Sequence, residues 1–291
     1  MSWIDVQDPT KEDVAYLKEK FNFHPLVLDE IIPPGHRPKV ERYPDYLVMI
    51  FYYPVYNREK RKTRSRELDI IVTKDTLITS HYRSILPLKA LFDNCNLYEE
   101  LREKYMSDGP GHLLFYLLDD FWKSCLNKLV QIDKRINEIE KEMFRGKEKE
   151  MVREISLVKT DIINFWRIIE HQEEILESLI KEGSVFFGGN ITPYFSDLIG
   201  TYRKSLNNLK TYKEAISALE NTNQSLLSSK INEVMRTLTL LSALFLPLGV
   251  VASIWYYMPL ARGLQSLAIL IGTMLSSSFM LFLFFRKKRW L

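Results

Sequence analysis

Seven residues near the C-terminal end carry the most specific chemistry in the chain. Asn232, Met235, Thr239, Ser242, Leu246, Gly249 and Ser253 are spaced alternately by three and four. That spacing returns to one face of a helix. Five of the seven are small or polar, and the neighbouring faces carry Leu240, Leu241, Phe245, Val250 and Val251. A polar face on so apolar a helix must meet water or other protein. Two uses satisfy that: close helix packing through small residues, or the lining of a narrow pore by one helix per subunit. The pore needs a homo-oligomer, because one stripe cannot enclose a channel. In it Met235 and Leu246 are apolar constrictions, and Asn232 offers an uncharged oxygen at the mouth. Catalysis finds no comparable set. His24, His36, His81, His112 and His171 lack metal-ligand spacing, and no phosphate loop, nucleophile elbow or zinc-protease helix occurs. We expect no enzyme and no catalytic residue.

The elements that position the stripe are legible. Residues 237–261 contain no charge; as helix they span roughly 37 Å, against a hydrocarbon core of about 30 Å. A second uncharged run, 263–285, follows Arg262. The pattern predicts two transmembrane helices, about 237–256 and 263–285, joined by a short turn at Tyr257, Met258, Pro259 and Leu260. Gly272 and Ser276 read as packing contacts of the second helix. Arg286, Lys287, Lys288 and Arg289 follow it, and Lys230 and Arg236 precede the first. The positive-inside rule then places both termini in the cytoplasm of a multi-pass cell (inner) membrane protein. Trp255, Tyr256 and Tyr257 fall at the outer interface and Trp290 at the inner one. Residues 1–13 are polar and do not read as a signal peptide. The remaining chain is expected to be cytoplasmic, with Cys95 and Cys125 reduced and unpaired.

That cytoplasmic part reads as mixed, then helical. Thr10 caps a helix from about Lys11, with Asp13 three residues on and Val14, Leu17 and Phe21 on its apolar face. Residues 46–53, 68–73 and 76–81 predict strands. The basic run 59–66 serves either as a solvated hairpin tip or as a phosphate or lipid contact. Residues 113–144 and 148–180 predict long amphipathic helices, and 183–190, with three glycines, a break. A third helix starts after Pro193 and runs on into the first membrane span. Phe195, Tyr202, Leu209, Ile216 and Asn223 recur on it every seven residues, which argues for a seam with other helices. The expected divisions are 1–111 (α/β), 112–192 (amphipathic helices), 193–236 (stalk) and 237–291 (membrane). A formal net charge of only +3 argues against a nucleic-acid partner, and two cysteines are too few for a four-thiolate zinc site.

Several phrases of the chain resemble the CorA family of divalent-cation channels. They are Trp3-Ile4-Asp5, His24-Pro25-Leu26-Val27-Leu28-Asp29-Glu30, Arg37-Pro38-Lys39-Val40-Glu41 and Tyr194-Phe195-Ser196-Asp197. Asn232-Glu233-Val234-Met235, Leu246-Pro247-Leu248 and Trp290-Leu291 add to them. The resemblance implies a homopentameric funnel: an α+β cytoplasmic domain, a long helical stalk lining the pore, and a two-helix transmembrane domain. It implies Mg2+ as transported and regulatory ion, with Co2+, Ni2+ or Zn2+ as alternatives. It also implies closure when Mg2+ occupies acidic sites between cytoplasmic domains. By position Glu30 and Asp197 match such a pair, with Asp29 beside Glu30 in an order reversed from the family's usual Glu-Asp. Carboxylates from two subunits would repel when empty and draw together around a dication. One departure is clear: the family's Gly-Met-Asn signature is absent. Either Tyr256, Tyr257 and Met258, beside Trp255, replace it at the outer mouth, or residues are deleted before Tyr257-Met258-Pro259; Arg262 lies close by in the sequence. The alternatives are a channel for another ion, and a non-conducting membrane-anchored sensor or scaffold.

Overall fold

The computed structural model describes residues 1–32, 34–257 and 264–287. Met258, Arg262 and Trp290 lie outside them, and the side chains of Trp255 and Tyr257 are likewise not described. The chain divides into two compact units, Met1–Glu220 and Asn221–Leu291.

The first unit begins with β1 (Ser2–Gln7), α1 (Lys11–Lys20) and α2 (Pro25–Asp29), then β2 (Lys39–Arg42), β3 (Tyr46–Asn57), β4 (Lys62–Thr73) and β5 (Thr76–His81). The strands form one sheet in the order β1-β5-β4-β3-β2, antiparallel except where β1 lies parallel to β5. The expected capping box is present: the Asp13 amide donates to Thr10 Oγ1, and the Thr10 amide donates to Asp13 at 2.8 Å. The apolar runs of β3, β4 and β5 are buried on both faces, which is why they read as nearly continuous hydrophobic stretches rather than alternating ones. One face packs under α1 and α2 through Leu17, Val27, Leu28, Val48, Ile71 and Ile78. The other meets long helices.

In chain order the helices are α3 (Leu86–Leu97), α4 (Glu99–Met106), α5 (Pro110–Met143), α6 (Glu148–Ile169), α7 (Gln172–Phe187) and α8 (Thr192–Tyr257), and α5, α6 and α7 pack against the strands. Phe121 and Trp122 of α5 pack on Phe51 of β3. Asp161 of α6 is fully buried; its carboxylate accepts from the Thr63 amide and hydroxyl, each at 2.7 Å, and from Lys128 at 2.9 Å. Phe195, Tyr202, Leu209 and Ile216 are all fully buried, so the seven-residue repeat is a seam within one chain. Cys95 and Cys125 are buried free thiols.

Three expectations are corrected. The segment 148–180 is two helices, not one: α6 ends at Ile169, where the Glu170 carbonyl accepts from the Tyr202 hydroxyl and Gln172 donates to the Tyr52 carbonyl. Tertiary hydrogen bonds replace the helical ones there. Residues 183–187 do not break the helix, because Gly183 is a packing residue: a Cβ on it would stand 2.7 Å from Cε2 of the buried Phe195 ring. Gly183→Ala should therefore cost about 1–3 kcal/mol despite alanine's better helix propensity. Denaturant unfolding checks this, and a gain in stability would refute it. Third, 62–66 belong to β4 rather than to a hairpin tip, since Lys62 to Arg66 pair with Asn57 to Tyr53.

The second unit holds the rest of α8 and α9 (Leu264–Lys287). Both helices carry a stretch long and apolar enough to cross a membrane. Pro247 lies inside α8 and deprives the Ala243 carbonyl of its helical donor.

Candidate functional site

The stripe residues fall on α8 as the spacing requires. Asn232, Met235, Thr239, Ser242, Leu246, Gly249 and Ser253 are all exposed. The half-buried positions between 239 and 253 are Leu240, Ala243, Leu244, Pro247, Leu248 and Val251. At 100° per residue that shielded face lies roughly 145° from the stripe. The stripe is thus not spent on packing within the chain. Gly249 makes the point most simply, because a Cβ there would meet nothing within 4 Å. The same holds for Gly272, so the expected packing role of Gly272 is not filled within the described residues. The hydroxyls of Thr239 and Ser253 donate back to the Met235 and Gly249 carbonyls at 2.7 and 2.8 Å. With the proton committed to the helix, their lone pairs face outward. Such oxygens suit a cation or its hydration shell.

The acidic residues singled out by position lie in the first unit. Asp29 ends α2 and is exposed; Glu30 caps that helix and is half-buried. Lys39 donates to Glu30 Oε1 at 2.8 Å and to Glu41 at 2.9 Å, while Glu30 Oε2 is buried without a hydrogen-bond partner. Asp197 is exposed in the second turn of α8. Among the described residues no group of three or more His, Cys, Asp or Glu is arranged to hold a metal within one chain. Within one chain Glu30 Oε1 is occupied by Lys39.

Two further acids were missed from sequence. Glu67 accepts from the His36 amide at 3.2 Å and the Tyr52 hydroxyl at 2.8 Å, and so fixes the segment after α2 to the sheet. Asp69, two residues on, is only 7% exposed, and its Oδ1 has no hydrogen-bond partner. Burial, then the charges of Glu67 and Glu30, push its carboxyl up to about 8. Its alternation with Ile71 in β4 was the available signal: it puts a carboxylate on a core-facing position.

The family described as CorA-like Mg2+ transporter protein matches residues 1–287. The chain belongs to that family. CorA relatives include the cobalt/magnesium transport protein of Thermotoga maritima, 26% identical over all of this chain and 83% of that protein. The cobalt/magnesium transport protein of Methanocaldococcus jannaschii is 22% identical, over 99% of this chain and 91% of that one. The complete structure of the CorA magnesium transporter from M. jannaschii superposes with a TM-score of 0.84 at 21% identity, covering 99% of this chain and 91% of that one. The full-length CmaX protein superposes at 0.76 and 16% identity, covering 99% and 88%. The CorA fold accounts for the α/β soluble unit, the long helix and the two apolar C-terminal helices. By their description the family's members are transporters rather than enzymes.

Proposed function

We propose that this chain transports divalent cations, Mg2+ by default, through a homo-oligomeric channel lined by the Asn232–Ser253 face of α8. The observation that carries the reading is the outward polar stripe on an apolar helix, in a chain whose family match spans residues 1–287. A second copy of the same helix would meet that face, and a pentamer is the assembly inferred from the resemblance. The transmembrane potential would drive the cation inward, at about 2.3 kcal/mol per charge per 100 mV. The basic residues at both ends of the membrane segments support cytoplasmic termini in the inner membrane. Flux into liposomes of Mg2+, Co2+, Zn2+ and K+ under an imposed potential tests the proposal. Selective divalent flux is the expected result.

One observation favours a second reading. Residues 252–259 supply no Gly-Met-Asn, and hence no asparagine ring to grip hydrated Mg2+ at the outer mouth. Trp255, Tyr256, Tyr257 and Met258 would set a different filter, or the scaffold would sense without conducting. Absence of flux for every ion from demonstrably oligomeric protein would select the non-conducting reading.

Gating by Glu30, with Asp29 beside it, and Asp197 across a subunit interface completes the proposal. Mg2+ should protect the native protein from proteolysis, and replacing Glu30 and Asp197 together by alanine should abolish that protection. Protection retained in the double variant would place the sensor elsewhere.

A further inference from the structure

The β3–β4 hairpin holds positive charge that the fold does not neutralise. Arg64 and Arg66 sit on one face of β4, both half-buried, opposite Val55 and Tyr53 of β3. In the β4–β5 pairing Asp69 faces Ser80. Arg83 lies three residues beyond Ser80, past the end of β5, where its charge still acts on Arg66. No carboxylate pairs with Arg64, Arg66 or Arg83 among the described residues. Arg66 Nε is buried with no hydrogen-bond partner, and Nη1 reaches only the Ser65 carbonyl, at 3.4 Å. Burial, then the charges of Arg83 and Arg64, lower the Arg66 pKa. By contrast Arg61 of the same hairpin pairs with Glu154, Arg42 with Glu182 and Arg203 with Glu173. Three guanidinium groups without a carboxylate, two on β4 and one just beyond β5, are a site arranged for an anion.

A cavity of about 460 Å³, within the size range of small-molecule sites, opens on the part of β3 that pairs with Arg64 and Arg66. Tyr53, Tyr56, Arg58, Leu86, Pro87 and Lys128 line it. Its wall and the arginine row are joined directly, because Tyr53 is the cross-strand neighbour of Arg66. Lys128 is already committed, 2.9 Å from Asp161 and 3.3 Å from the Tyr56 ring centroid. Arg58 is exposed, and Leu86 is 73% exposed at the rim, an apolar surface with nothing over it. The start of α3, at Leu86 and Pro87, has no side-chain cap and adds its positive end to the same opening. Charge on one side and an aromatic, apolar slot on the other describe a ligand with a phosphate chain and a flat ring.

We propose that this surface binds a nucleoside polyphosphate, its phosphates held by Arg64, Arg66 and Arg83 and its base in the cavity beside Tyr56, Leu86 and Pro87. The test uses the full-length protein in nanodiscs of neutral lipid, free of divalent cations, titrated calorimetrically with ADP, adenosine or inorganic phosphate. ADP should bind at least about tenfold more tightly than either fragment, and more weakly as salt rises. Arg66→Gln combined with Arg83→Gln should weaken ADP at least about tenfold. Arg64→Gln serves as the second variant, and unchanged thermal melting shows that each variant folds. Equal affinity for ADP in native and double-variant protein would overturn the proposal. So would phosphate binding as tightly as ADP, which would leave the cavity without a role. Loss of ADP binding when anionic lipid replaces neutral lipid would assign the arginines to a lipid headgroup and overturn it as well.

Discussion

Replacing Asp69 by asparagine should stabilise the protein at alkaline pH and flatten its pH profile. The Asp69 carboxyl titrates near its ordinary value of 3.8 in an unfolded chain and at about 8 in the fold. The folded state thus keeps a proton that the unfolded state has released. The contribution to stability is complete below pH 3.8, declines as pH rises, and is lost once pH passes about 8. At about 1.4 kcal/mol per pH unit the loss is on the order of 5 kcal/mol, less whatever relaxation of the segment after α2 recovers. An amide has no such penalty, and Glu67 and Glu30 supply acceptors nearby. Unfolding of the full-length protein in detergent, followed from about pH 5 to about pH 8.5, should show the native melting temperature falling with pH. The asparagine variant should hold its value more nearly constant and exceed the native protein at the alkaline end. Parallel profiles would mean that Asp69 is already ionised in the fold.

Gly249→Phe should abolish ion flux while leaving the chain folded. A Cβ at Gly249 meets nothing within 4 Å in a single chain, and the position is on the exposed face of α8, so the new side chain starts into open space there. If copies of α8 face one another across a pore, a ring of phenylalanines at that level fills a passage sized for a cation. Flux should drop about 100-fold or more. Leu241→Phe, on an exposed face roughly 125° from the stripe, should change flux less than about twofold. Native-like flux through Gly249→Phe would remove this face from the pore. Reduced flux in both variants would point to a packing fault instead of occlusion.

How much was legible beforehand follows from which interactions are local. The capping box of α1 was readable because Thr10 and Asp13 lie one turn apart and satisfy each other. The membrane helices were readable because an unbroken apolar run has few other solutions. The end of α6 was not, because the groups that terminate it, the Tyr202 hydroxyl and the Tyr52 carbonyl, come from distant elements. Gly183 misled for the same reason: its close neighbour is Phe195, on another helix.

The sequence alone determined the fold class, the two apolar helices, the polar face of α8 and the family likeness. Each rests on periodicity or on contiguous motifs, and the backbone enforces those without reference to the rest of the chain. Only the tertiary structure decided that this polar face is turned away from the shielded side of α8. It alone buried Asp69 without a partner and aligned Arg64, Arg66 and Arg83 without a counter-charge. Burial and charge balance are sums over every element that packs around a group, so no single segment of the sequence states them.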